Sequence, residues 1–296
     1  MKKFSIIGVI GKPADPGVIT ALRSLTDDLS ARGCQLRLDV ASAAHLGLPN
    51  GQGLPREQLG AECDLVVVVG GDGTLLDAAR AVAPHGVPLL GVNLGRLGFM
   101  VDVLPADMKQ SLDAVFAGKY VREERLMLTA TVYEGQNERA TFHALNDVVV
   151  RNRKFARVIE FDTYTDGSFI SHHRADGIII ATPTGSTAYA LSGGGPVLHP
   201  ALPAIALVPI CPHTLSDRPL VLDADREIEI VIDTSLDTQA LVTCDGQVPQ
   251  ALEGGDRVRV RRAKRSVHLI HPPDYDYFKL LRSKLQWGRG PSPRES

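Results

Sequence analysis

The sequence predicts a parallel α/β domain followed by an all-β domain of two antiparallel layers. Three observations predict it. Up to about Gly98, apolar strands alternate with amphipathic helices, as in the run VVVV at Val66–Val69. Strands apolar throughout and separated by helices belong to a parallel sheet covered on both faces. Beyond about Val121 the pattern changes to period two, in LMLTATVYEG, FHALNDVVVR, VIEFDTYTDG and EIEIVIDT, with Gly, Asp and Pro between the runs. That is the pattern of antiparallel sheets stacked in layers. Finally, 296 residues reach the size, roughly 250 to 300 residues, at which single cores stop growing, so two cores are expected. The expected divisions are residues 1–120 for the α/β domain, 121–270 for the β-rich domain and 271–296 for a last helix and tail.

Within the first domain FSIIGVIG reads as a strand, VITALRSLTDDLSAR as a helix with apolar positions near helical spacing, and QLRLDV and DLVVVV as strands. GTLLDAARAVA then reads as a helix and VPLLGVNLG as a strand. MKQSLDAVFAGKY, Met108 to Tyr120, reads as a helix closed by Gly118 at the domain junction. After the β region, YFKLLRSKLQW forms a final amphipathic helix that needs an apolar surface, and it is expected to pack back on the first domain. The ending RGPSPRES is polar and contains proline, so it is expected to be disordered.

Composition narrows the function. A formal charge of -2 and a pI near 6.5 provide no basic field that draws nucleic acid or an anionic membrane, so neither is an expected partner. No apolar run approaches the roughly 18 residues of a membrane span, and MKKFSIIGVIGK is too short and too soon interrupted by Gly8 and Gly11 for a secretory signal. Cys34, Cys63, Cys211 and Cys244 lie far apart with no C-x-x-C pair, which points to reduced cytoplasmic thiols instead of disulfides or a zinc site.

The stretch VVVVGGDGTLL, Val66 to Leu76, places three glycines and one carboxylate at the end of a buried strand. In an open parallel sheet that is where ligands sit, and a glycine-rich turn into a helix exposes backbone N–H groups to phosphate. Gly70, Gly71 and Gly73 permit close approach or positive φ. Asp72 would repel a phosphate unless a proton, a metal or a hydroxyl intervenes, so it suggests a carboxylate that orients a hydroxyl and accepts its proton. The plainer alternative is that Asp72 caps its own helix through the Thr74 and Leu75 amides. Two common nucleotide fingerprints fail here: GVIGKP lacks the spacing and hydroxyl of a P-loop, and Gly71-Asp72-Gly73 is followed by leucines instead of the third glycine of a dinucleotide turn.

The β region carries a second constellation. NDVVVRNRKFAR offers Asn146 and Asp147, then Arg151, Arg153, Lys154 and Arg157, a basic group that by itself reads as a solvated loop. RADGIIIATPTGSTAYALSGGGP is harder to dismiss. Arg174 and Asp176 precede a buried strand, and Thr184, Gly185, Ser186 and Thr187 form a turn of small hydroxyl residues that supplies donors and close approach for a polar nucleotide. CDGQ reads as a β-turn with Gln247 able to reach a neighbour.

Taken in order, GGDGTLL at Gly70–Leu76, ND at Asn146–Asp147, RADG at Arg174–Gly177, TPTGSTAYALSGGGP at Thr182–Pro196 and DGQ at Asp245–Gln247 resemble the bacterial NAD kinase family over nearly the whole chain. The family's second motif is usually Asn-Glu; Asn146-Asp147 keeps the charge with a shorter reach. The resemblance implies a Rossmann-like N-terminal α/β domain, a C-terminal β-sandwich and a ligand cleft between them. It implies that ATP with Mg²⁺ phosphorylates the 2′-hydroxyl of the adenosine ribose of NAD to give NADP. By the same resemblance Asp72 is the base, with Gly73 beside it, and Asn146 and Asp147 hold NAD hydroxyls. Arg157 and Arg174 neutralise phosphate charge, and Asp176, Thr187, Ala188, Tyr189, Ala190, Leu191, Ser192 and Gln247 line the dinucleotide site. Mg²⁺ arrives with ATP, needing few protein ligands. A homo-oligomer, commonly a tetramer, is also implied.

Other signals read as structural. Neighbours on a strand point to opposite faces, so His172 and His173 are expected as one surface and one partly buried histidine instead of a metal pair. RVRVRRAKR, Arg257 to Arg265, reads as a half-exposed strand, and Tyr275 and Tyr277 as packing or interface aromatics. Two other classes share parts of the pattern. A lipid-type kinase carries a similar GGDG turn but should present apolar surface at its cleft, and a non-catalytic NAD(P) sensor should bind without turnover.

Overall fold

The computed structural model describes residues 4–12, 16–49, 51–95, 98–153, 158–214, 216–234 and 239–287. Arg157 and the tail RGPSPRES lie outside them. The chain divides into two compact units, Met1–Glu123 with His268–Ser296, and Glu124–Val267.

The first unit opens with β1 (Ile6–Gly11), α1 (Pro16–Ala31), β2 (Gln35–Leu38), α2 (Val40–His45) and α3 (Arg56–Glu62). It continues with β3 (Leu65–Val69), α4 (Asp72–Val82), β4 (Leu89–Val92), α5 (Met108–Phe116) and β5 (Val121–Arg125). From the far end of the chain come β18 (Val267–His271) and α7 (Tyr277–Leu285). The sheet order is β2-β1-β3-β4-β18-β5, and the pairs from β2 to β18 are parallel. All five residues of β3 are fully buried. Its run of valines suits a strand covered on both faces, where each buried Val or Leu contributes about 1.5–3 kcal/mol. α1 buries Val18, Leu22, Leu25 and Leu29 against Val9, Val67 and Val69 of the sheet. α5 ends where Gly118 takes a φ of 76°, a left-handed exit that glycine adopts without strain.

Two features of this unit depart from the sequence reading. Val121–Arg125 and Val267–His271, placed in the β region there, are the last two strands of the first sheet. A short apolar run does not name the sheet it joins, and the partner of β18 is β4, some 180 residues earlier in the chain. Helices α2 and α3 were not anticipated, because VASAAH and REQLGAE are too short for a clear period. Asp39 nevertheless starts α2 by accepting Ser42 N–H at 2.8 Å. Asp276 starts α7 likewise, through the amides of Phe278 and Lys279. No helix among the described residues is long and apolar enough to cross a membrane.

The second unit holds β6 (Leu128–Glu134), β7 (Asn137–Ala144), β8 (Asp147–Asn152), β9 (Ile159–Thr165), β10 (Ser168–Ala175) and β11 (Gly177–Ala181). After the short helix α6 (Tyr189–Ser192) follow β12 (Ala204–Ile210), β13 (Leu220–Asp223) and β14 (Ile228–Ile232). The last three are β15 (Ala240–Cys244), β16 (Gln247–Leu252) and β17 (Arg257–Arg262). They form two antiparallel sheets, β10-β9-β14-β17-β6-β7 and β13-β12-β11-β8-β15-β16. Alternate residues such as Leu128, Val132, Val148, Val150, Ile178, Ile180, Ile230 and Val258 fill one core. On its other face β8 contributes Val149, which packs with Ile179, Val208 and Ala190 of α6.

FHALNDVVVR, read as one period-two run, is two strands in different sheets. β7 ends at Ala144 in one, β8 begins at Asp147 in the other, and Leu145-Asn146 carry the chain across. Ala144 and Leu145 are both fully buried, so the period-two burial breaks where the chain changes sheets. β17 matches its half-exposed reading: Val258 and Val260 point inward, and Arg259 and Arg261 pair with Glu229 and Glu227.

Candidate active site

β3 ends at Val69 and α4 starts at Asp72, so Gly70 and Gly71 make the whole turn between them. At Gly70 an added Cβ would lie 2.5 Å from Thr74 Oγ1, so packing alone demands glycine there. At Gly71 and Gly73 no heavy atom lies within 4 Å of the Cβ position, and none of the three has a left-handed φ. Two glycines that packing does not require leave open space at a helix N-terminus, an arrangement with room for an anion.

Asp72 does not cap its own helix. The Thr74 and Leu75 amides bond to Gly71 O at 3.0 and 3.1 Å. The Asp72 carboxylate turns instead to the segment after β4, accepting Phe99 N–H at Oδ2 (2.8 Å) and the Met100 and Val101 N–H groups at Oδ1 (3.1 and 3.2 Å). That approach requires Gly98, where a Cβ would sit 2.0 Å from Oδ1. A carboxylate presents about four lone-pair directions, so about one remains for a hydroxyl. The three amides also fix its position.

The second locus is the Leu145-Asn146 crossover. Thr182 Oγ1 donates to Leu145 O at 2.6 Å and Thr182 N–H to Asn146 O at 2.9 Å. Gly185 lies so close that a Cβ would fall 2.0 Å from Asn146 O. Ser186 Oγ donates to Pro183 O (2.6 Å) and accepts Leu198 N–H (2.9 Å), while Thr187 Oγ1 donates to Thr184 O. The buried Arg125 guanidinium donates to Thr184 Oγ1 at 3.4 Å. The hydroxyls read as ligand donors are therefore engaged within the protein. They shape the backbone that carries Asn146.

From the other side, Asp245 in the β15–β16 turn accepts the N–H groups of Leu145 (3.0 Å), Asn146 (2.7 Å) and Asp147 (3.2 Å). Its own N–H returns to Asp147 O at 2.9 Å. Asp245 and Gly246 have φ of 51° and 69°, as a tight hairpin turn requires. The Asp147 carboxyl, 5% exposed, is pushed up to about 7 by burial and then by the charge of Asp245.

Strand pairing gathers some predicted residues and separates others. Asp147 opposes Ala181 at the end of β11, and Gln247 opposes Cys244 beside β8, so Asn146, Asp147, Gln247 and the Thr187–Ser192 segment share one end of the sheet. There Tyr189 and Ser192 are exposed, and Thr187, Ala188 and Leu191 half-buried. The Ala190 side chain is fully buried among Val149 and Ile179, which leaves any ligand contact there to its main chain. Arg174 and Asp176 do not join this group. Gly177 opposes Arg151, so Asp176 stands at the opposite end of the five-residue β11, roughly 16 Å away along the strand. Asp176 is exposed, and the exposed Arg174 lies 3.5 Å from Glu160.

The residues set aside as structural behave so. His173 is buried, 3.0 Å from Thr163 Oγ1, while His172 is exposed beside Asp162 at 2.8 Å. Tyr277 is buried, and Tyr275 stacks on His271 with centroids 3.9 Å apart. Burial disfavours the charged His271 imidazole, but Asp102 (3.0 Å) and Glu123 (3.3 Å) outweigh it and raise its pKa. Among the described residues no group of three or more His, Cys, Asp or Glu is placed to hold a metal.

Sequence reasoning missed Gly98 and the role of Asp245. The Asp-Gly dipeptide between two strands does signal a tight hairpin, but not the three amides its carboxylate will meet. Nothing in the sequence around Gly98 announces Asp72.

Residues 7–120 match the ATP-NAD kinase N-terminal domain family and residues 145–272 the ATP-NAD kinase C-terminal domain family. The chain is 48% identical over 288 residues to a NAD kinase of Nitrosococcus oceani, covering 97% of this chain and 98% of that one. It is 45% identical over 286 residues to a NAD kinase of Aeromonas salmonicida, covering 96% and 97%. Among solved structures it resembles yeast NADH kinase complexed with NADH, with a TM-score of 0.88 at 26% identity, over 100% of this chain and 91% of that chain. A NAD kinase from Archaeoglobus fulgidus in complex with ATP gives 0.74 at 26% identity, over 95% and 98%.

Proposed function

The chain belongs to the ATP-NAD kinase family, and from that premise we propose how its residues divide the work of a NAD kinase. The reaction moves the γ-phosphoryl group of ATP to the 2′-hydroxyl of the adenosine ribose of NAD. The hydroxyl loses its proton to Asp72, its oxygen bonds to phosphorus, and the bond from phosphorus to the ADP oxygen breaks. Such a transfer asks the protein mainly for positioning and charge neutralisation. A base worth on the order of 10²–10⁴-fold in rate fits one fixed carboxylate.

The observation that carries the base assignment is the Asp72 carboxylate, held by three consecutive amides beside two glycines that packing does not require. Open space at Gly71 and Gly73 suits phosphate at the N-terminus of α4. Asn146, Asp147 and Gln247, with the exposed edge of the Thr187–Ser192 segment, bind the dinucleotide. With no cluster of metal ligands among the described residues, Mg²⁺ would be carried on the nucleotide phosphates and would neutralise charge on the transferred group.

None of the four cysteines is in a disulfide, which suits a reducing, cytoplasmic setting. The edge strand β13, where Leu220 and Val221 are 39% and 42% exposed, is open to association into a homo-oligomer, and the tetramer rests on the family resemblance alone. The test of the activity is incubation with NAD, ATP and Mg²⁺ and detection of NADP by an NADP-specific dehydrogenase. NADP formation is expected; NAD binding without NADP would instead indicate a sensor.

A further inference from the structure

We propose that Asp245 is a positioning residue of the dinucleotide site, its carboxylate setting the backbone of Asn146 and Asp147 so that Asp147 meets the ligand as a hydrogen-bond donor. The proposal rests on the reading of this end of the sheet as the dinucleotide site. Its ground is geometric. One carboxylate accepts three successive amides, Leu145, Asn146 and Asp147, at 2.7–3.2 Å, at the point where the chain passes between sheets. The Leu145 and Asn146 amides would otherwise be orphaned at the crossover, because ladder pairing of β8 begins only at Asp147.

The same carboxylate decides the chemistry of its neighbour. Asp147 is 5% exposed. Burial favours its protonated form, and the adjacent negative charge of Asp245 favours it further. The neighbouring titratable groups on β15 and its turn are Cys244, opposite Val148, and Asp245. β11 and its following turn bring the neutral Ala181, Thr182 and Gly185, and the Arg125 guanidinium is turned to Thr184. A protonated carboxyl donates to acceptors such as ribose oxygens or a diphosphate; an ionised one repels the diphosphate. NAD binding should therefore weaken as pH rises through the titration of Asp147.

The test pairs two measurements on the full chain. Carboxyl ¹³C NMR follows Asp147 in the ligand-free protein, and calorimetry gives the NAD Kd from about pH 5.5 to 8.5. In the wild type Asp147 should titrate near 7, with Kd rising by up to about tenfold for each pH unit above the midpoint. In Asp245→Asn, a substitution compatible with the left-handed backbone, that midpoint should fall by on the order of one unit and the binding curve should move with it. Asp147→Asn should abolish the pH dependence of binding. A residue that merely stabilised the turn would leave the Asp147 midpoint in place. An unchanged midpoint in Asp245→Asn, a wild-type Asp147 titrating in the ordinary carboxylate range, or persistent pH dependence in Asp147→Asn would each overturn the proposal. Absence of NAD binding at every pH would overturn the dinucleotide reading instead, and the NMR comparison would still decide whether Asp245 governs Asp147.

Discussion

Two aspartates in this protein do the same thing to the backbone and differ in what that leaves them to do. Asp72 accepts the amides of Phe99, Met100 and Val101; Asp245 accepts those of Leu145, Asn146 and Asp147. Around Asp72 the turn is open, with free space at Gly71 and Gly73. Around Asp245 the crossover is closed by Thr182 and Gly185. The first geometry leaves the gripping carboxylate beside room for a substrate, and the second presents its neighbours. Acidity in a motif thus does not reveal a role; the space around the carboxylate does.

Gly98→Ala breaks the comparison most strongly on the Asp72 side. Its Cβ would meet Oδ1 at 2.0 Å, and a short side chain held by three amides has little freedom to move away. Turnover should fall on the order of 10- to 100-fold, with NAD affinity less affected, as separate kcat and KM values would show. Gly185→Ala attacks the other side. A Cβ 2.0 Å from Asn146 O forces the crossover apart, costing about 1–3 kcal/mol in a denaturant titration.

Asp147 gives a pH-dependent contrast. Its carboxyl titrates near 7 in the folded protein against 3.8 ordinarily, so the folded state keeps a proton that the unfolded state has lost. Stability from this group is complete below about pH 4 and is lost as pH rises through about 7, by at most about 4 kcal/mol. Asp147→Asn should therefore melt higher than wild type at pH 8 and show little advantage at pH 4. The smallest effect on folding belongs to Gly73→Ala. With nothing near its Cβ, it should leave the melting temperature within about 2 °C while weakening ATP use, which would separate a glycine kept for a ligand from glycines kept for packing.

The same contrast explains what the sequence disclosed. The α/β unit was legible wherever pattern is local: the buried valines of β3, the apolar stripe of α1, the exit of α5 at Gly118. Strands β5 and β18 were not, because their sheet is decided by partners far along the chain. At the candidate site Asp72, Asn146 and Asp147 stood out by motif. The anchoring of Asp72 by residues 99–101, the burial of Ala190 and the distance of Asp176 from Asp147 depend on register and tertiary approach. The hydroxyls of Ser186 and Thr187 misled for a related reason: a hydroxyl satisfies nearby backbone as readily as a ligand.

The central claim is that Asp72 acts in the chemical step while the Asn146–Asp147 end of the β unit acts in binding. Rapid-quench measurement of phosphoryl transfer from labelled ATP to saturating NAD, in wild type and Asp72→Asn, tests it most directly when NAD Kd is measured alongside. A transfer rate reduced by on the order of 10²-fold or more, with Kd changed only a few-fold, is the predicted result. A near-normal transfer rate, or a loss explained wholly by weaker NAD binding, would contradict it.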